Sequence, residues 1–119
     1  MAKQRSMTVC IHDMAGAVSA LKTAREQGCL LILESPPRVA EIQGTAWFLA
    51  LVDEAKAVVS GVAVQTLVDA GPACALAMDA LERGADVVRI DAGMKSAGKL
   101  MDIAKAQGAR IEIKRKPKR

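Results

Sequence analysis

Tyrosine is absent from this 119-residue chain, and Trp47 and Phe48 are its only aromatic residues. Flat side chains on which bases or sugars could stack are therefore scarce. Glycine-rich phosphate loops are missing too: neither Gly-x-Gly-x-x-Gly nor Gly-x-x-x-x-Gly-Lys-Ser/Thr occurs, which argues against dinucleotides or nucleoside triphosphates held in that way. No cofactor is implied. The longest unbroken apolar run, Ala46 to Val52, is far too short to span a bilayer, and Met1 to Met7 has no signal-peptide core, so a soluble, cytoplasmic protein without a membrane partner is expected. Cys10, Cys29 and Cys74 are odd in number, lie in apolar settings and lack Cys-x-x-Cys spacing, which suggests buried reduced thiols and neither a disulfide framework nor a metal site.

The formal net charge of +4 is a local property. Lys114, Arg115, Lys116, Lys118 and Arg119 are all in the last six residues, while residues 1 to 113 carry 12 basic and 13 acidic side chains. The body does not have the charge of a nucleic-acid binder. A single α/β domain over 1–113 and a basic disordered tail over 114–119 are expected; the tail could attract RNA or anionic lipid through counterion release or simply keep the chain soluble.

What the chain does have is 51% hydrophobic residues, almost all aliphatic, in a repeating arrangement. Four apolar runs end on a carboxylate: Val9-Cys10-Ile11-His12-Asp13, Leu31-Ile32-Leu33-Glu34, Leu67-Val68-Asp69-Ala70-Gly71 and Val88-Arg89-Ile90-Asp91-Ala92-Gly93. A stripe with a period near 3.6 follows each of three of them: Met14, Ala17, Val18, Leu21 and Ala24; Ala73, Leu76, Ala77, Ala80 and Leu81; Ala97, Leu100, Met101 and Ala104. Gly28, Gly84 and Gly108 supply helix stops. The pattern predicts strands at 7–11, 29–33, 62–68, 86–90 and 109–113, and helices at 14–27, 39–57, 73–83 and 95–107. Leu67 to Gly71 recurs in pattern 22 residues later, as one βα unit repeated.

Strict βα alternation predicts a mostly parallel five-stranded sheet in a three-layer sandwich, with the flavodoxin-like order 2-1-3-4-5; half of a (βα)8 barrel is the alternative. In the favoured order the second strand is an edge. Because Cys29 to Leu33 is apolar on both faces and Ala46 to Val52 is apolar all round its helix, a homodimer covering that βα unit is expected.

Parallel strands gather their carboxyl ends on one rim, which makes His12, Asp13, Glu34, Asp69, Gly71, Cys74, Asp91 and Lys95 the candidate site residues. The crevice would place His12 and Asp13 opposite Asp69 to Pro72. Gly71 permits a tight turn, Pro72 suits a first helical position, and the amides of Ala73 and Cys74 could hold an anion. Asp13 and Asp69 can be read as helix caps or, alternatively, as Mg²⁺ ligands. Cys74 with His12 as base, or Lys95 as an amine, would serve an aldolase- or isomerase-like enzyme. Arg38, after the stiff Ser35-Pro36-Pro37, could swing over the crevice.

The stretches Gly44 to Val52 and Val68 to Ala77 resemble those of a group of small bacterial α/β proteins with no assigned activity. That resemblance implies the same fold over most of the chain, although a second acidic residue usual after the Asp-x-Gly turn is replaced here by Pro72 and Ala73. Ala85 to Ile113 is similar to the rear half of the kink-turn RNA-binding ribosomal proteins, but their Asn/Lys/Gly-rich helix start has no counterpart between Gly61 and Gly71. The expected function is a non-enzymatic module binding a small ligand, an anion or a partner protein at the rim. The enzyme and an RNA- or ribosome-associated protein acting through the tail are the alternatives.

Overall fold

In the computed structural model, which describes residues 5–37 and 44–114, strands and helices alternate as β1 (Ser6–Cys10), α1 (Met14–Gln27), β2 (Leu30–Glu34), α2 (Thr45–Val58), β3 (Val64–Gly71), α3 (Cys74–Glu82), β4 (Val87–Asp91), α4 (Ala97–Gln107) and β5 (Arg110–Lys114). Every predicted element is present; the second helix, expected from residue 39, starts at Thr45 because Gly44, at φ 92°, is not helical, and the others lie within a few residues of their expected bounds. Arg38 and the start expected for the second helix at residue 39 lie outside the described residues, as do Arg115, Lys116, Lys118 and Arg119. Lys114, expected in the tail, is the last residue of β5.

The local causes are those the sequence contains. Asp13 caps α1, its Oδ1 accepting from the Gly16 amide at 2.8 Å, and Gly28 closes the helix in the left-handed conformation at φ 64°. Gly108 does the same for α4. The apolar stripes face the core, where Leu21, Phe48, Leu81 and Leu100 are essentially inaccessible; Met101, assigned to the stripe of α4, is exposed.

The sheet corrects the expected strand order. All five strands are parallel and run β1-β2-β3-β4-β5, so β2 is hydrogen-bonded on both sides and is not an edge. That placement explains why Leu31, Ile32 and Leu33 are apolar on both faces without invoking a subunit contact. On α2 one stripe, Phe48, Val52 and Ala55, is buried where the helix packs along α1, while Trp47, Leu49 and Leu51 are only half-buried. Of the two features on which the expected dimer interface rested, the strand is thus accounted for within one chain.

Sequential order has a further consequence. Each βαβ connection steps in the same direction, and right-handed crossovers then deliver all helices to one face. Buried residues of α1, α2, α3 and α4 share one cluster with Leu31, Leu33, Val68, Ala70, Val88 and Ile90, whereas Ile32, Leu67 and Val87 form a separate small cluster on the opposite face. The outer layer that a sandwich would place there holds none of the described helices. Sequential order is that of a segment of a (βα)8 barrel, the alternative arrangement.

Candidate functional site at the carboxyl ends of the strands

Alternation along each strand decides which side chains reach the face opposite the described helices. Register places Thr8 beside Ile32 and Cys10 beside Glu34, then Leu67 beside Val87, Asp69 beside Arg89 and Arg89 beside Glu112. Four adjacent strands therefore contribute Glu34, Asp69, Arg89 and Glu112 to one patch. Arg89 is its centre: Nη2 donates to Glu34 Oε1 at 3.0 Å, Nε to Glu112 Oε1 at 3.2 Å, and Nη1 lies 3.7 Å from Asp69 Oδ2. The bond to Glu34, together with the surrounding carboxylates, raises the already high pKa of Arg89, so its charge is permanent.

Backbone geometry holds Asp69 in place. A bulge between Asp69 and Gly71 shifts the register against β4, and Gly71 takes φ 57°, a conformation glycine adopts without strain. Asp69 Oδ1 accepts from the Gly71 amide at 3.0 Å, leaving Oδ2 for Arg89. Asp69 is consequently not a helix cap: α3 begins at Cys74, its N-cap is Ala73, and no side chain caps it. Pro72 belongs to the turn before α3, and the Ala73 amide is spent on the Ala70 carbonyl.

The rim differs from the expected crevice because β2 separates β1 from β3. Ser35, which sequence reasoning passed over, links the strands: its hydroxyl accepts from the Asp69 amide at 3.2 Å, and its carbonyl lies 3.6 Å from Cys10 Sγ. His12 is exposed beside Cys10, 3.9 Å away, and the hydrogen-bond geometry gives it no link to Cys74. Cys10 is exposed and Cys74 intermediate, so of the three free thiols only Cys29 is buried as expected. Burial of the Cys10 sulfur, and then the charge of Glu34, push its pKa up against the opposing influence of Arg89. Asp91 ends β4 beside Lys114, and Lys95 is exposed on the turn that leads to α4.

The arrangement ties the acidic groups together. Glu34 and Asp69 face a guanidinium that competes with any divalent cation, and among the described residues no three His, Cys, Asp or Glu side chains are grouped to hold a metal ion. No helix among the described residues is long and apolar enough to cross a membrane. No family model matches the chain, and no curated protein is significantly similar to it.

Proposed function

We propose that the protein is a non-enzymatic α/β binding module that takes a small anion, a carboxylate or a phosphate, between β4 and β5 on the sheet face opposite the described helices. One observation carries this reading. Glu112 presents its carboxylate to Arg89 from a position flanked on the same face of β5 by Arg110 and Lys114. Glu34 and Asp69 are largely buried and anchor the guanidinium, whereas the Glu112 side chain is 40% exposed and is the partner that can swing away. An anion in its place would meet the Arg89 guanidinium, with Lys114 at the next position on the same face, while Arg110 turns away toward Gln65.

The same ion pairs weigh against acid–base chemistry at this rim. A general acid or base must be free to exchange its proton with substrate, and Glu34 and Asp69 are committed to Arg89 and to backbone. Lys95 lies exposed on a turn, without the burial that would make it a nucleophilic amine. Titration of the protein with inorganic phosphate and with succinate, followed through backbone amide shifts, tests the reading. Shifts centred on Arg89, Glu112 and Lys114 support it; a response confined to residues 115–119 would favour the tail, and no response up to millimolar concentration would refute it.

A further inference from the structure

The two edges of the sheet differ in chemistry. Edge strand β5 reads Arg110-Ile111-Glu112-Ile113-Lys114, charged at every second position, whereas β1 reads Ser6-Met7-Thr8-Val9-Cys10 and has no charge, no proline and no bulge. Among the described residues β1 pairs only with β2, so its outer backbone groups have no strand partner. Charges and bulges are what keep a sheet edge from pairing with another chain, and β1 has neither.

We propose that β1 is the interaction surface of this protein and that its occupant is β1 of a second copy, antiparallel, about a two-fold axis at Thr8. The difference between the edges selects this partner. Pairing β1 with β1 uses the uncharged edge of both copies and leaves only the charged β5 edges outside, so assembly stops at two. Pairing β1 with β5 of another copy is head-to-tail and continues indefinitely unless a ring closes. Antiparallel pairing centred on Thr8 sets Met7 against Val9 of the second copy on the helix face, where both are only half-buried in one chain, and Ser6 against Cys10 on the other. The uncharged small residues Ser6, Thr8 and Cys10 then meet no like charge across the seam. This inference is independent of the anion site, which lies on β4 and β5.

Sedimentation equilibrium of the full chain provides the test, with two variants. The wild type is expected to be a dimer at tens of micromolar, and Thr8→Lys, placing like charges face to face at the axis, to weaken it at least roughly tenfold while preserving the circular dichroism spectrum. Thr8→Cys in a Cys10→Ser background should form a disulfide-linked dimer on mild oxidation, since directly opposed residues of an antiparallel pair lie within disulfide range. Ile113→Cys in the same background, on the other edge, should not. A monomeric wild type would overturn the proposal, as would a dimer unaffected by Thr8→Lys in a folded protein or one cross-linked as readily through position 113.

Discussion

Arg89 on β4 reaches over β3 to bond Glu34 on β2 at 3.0 Å. The two strands lie about 10 Å apart, two strand spacings, and the combined length of an arginine and a glutamate bridges that gap. The bridge crosses between Leu67 and Asp69 and accounts for a feature otherwise odd on a face that none of the described helices covers: Leu67 is only 2% exposed. Arg110 reaches Gln65 across Val87 at the other end of the face in the same manner. Alkyl stems thus roof the small apolar cluster, with their charged ends held by partners.

Loss of Arg89 should therefore cost more than one ion pair. Arg89→Gln leaves Glu34 and Asp69, both mostly buried, without their shared counter-ion, and a destabilisation of about 2 kcal/mol is expected in urea denaturation. Arg89→Lys keeps the charge but cannot bond several carboxylates in a plane, so it should recover only part of that loss. A change under about 0.5 kcal/mol for Arg89→Gln, the range of ordinary surface substitutions, would show the cluster to be incidental.

Asp69 separates two contributions. Asparagine retains an oxygen for the Gly71 amide but loses the attraction to Arg89, which at 3.7 Å is the longest of the three contacts, so Asp69→Asn should cost less than about 1 kcal/mol. Asp69→Ala removes both and should cost about 1–2 kcal/mol. Equal losses for the two variants would mean that the turn contact contributes nothing.

Much of this fold is legible in the sequence, and the missing parts have physical causes. The stop at Gly28 and the cap at Asp13 are local, and local chemistry decides them. Strand order is a tertiary choice: alternation of β and α fixes parallel pairing and handedness, but steps to either side of the first strand satisfy both. The double-sided apolar run at Leu31 to Leu33 fits a central strand, a place that order 2-1-3-4-5 denies it and sequential order provides. The place of Glu34, Asp69 and Asp91 at or near strand ends is visible in the spacing. The rim's organising cation was missed, although a signal existed: Arg89 is the one charge inside the apolar run Val87 to Ile90, and such a residue needs acidic partners on neighbouring strands. Asp69 was misread as a cap because the bulge that keeps Ala70 and Gly71 in β3 has no sequence signature beyond a glycine.

Cys10 offers a pH-dependent readout of the same charges. Its raised pKa means that alkylation by iodoacetamide should reach half its limiting rate at a pH above that of an ordinary thiol, despite the residue's exposure. Glu34→Gln should lower that midpoint and Arg89→Gln should raise it. For folding the sign is fixed: the unfolded chain loses the thiol proton first, so this group favours the folded state less as pH rises above the ordinary thiol value. A midpoint at or below that of a free cysteine would contradict the placement of Cys10 beside Glu34.

The central claim is that Glu112 occupies an anion site that Arg89 defines, and calorimetric titration of phosphate and succinate into the wild type, Glu112→Gln and Arg89→Gln tests it most directly. Removing the resident carboxylate should tighten anion binding about tenfold, or about 1.4 kcal/mol, in Glu112→Gln, while Arg89→Gln should show none. Binding by Glu112→Gln no tighter than that of the wild type, or undiminished binding by a folded Arg89→Gln, would contradict the account.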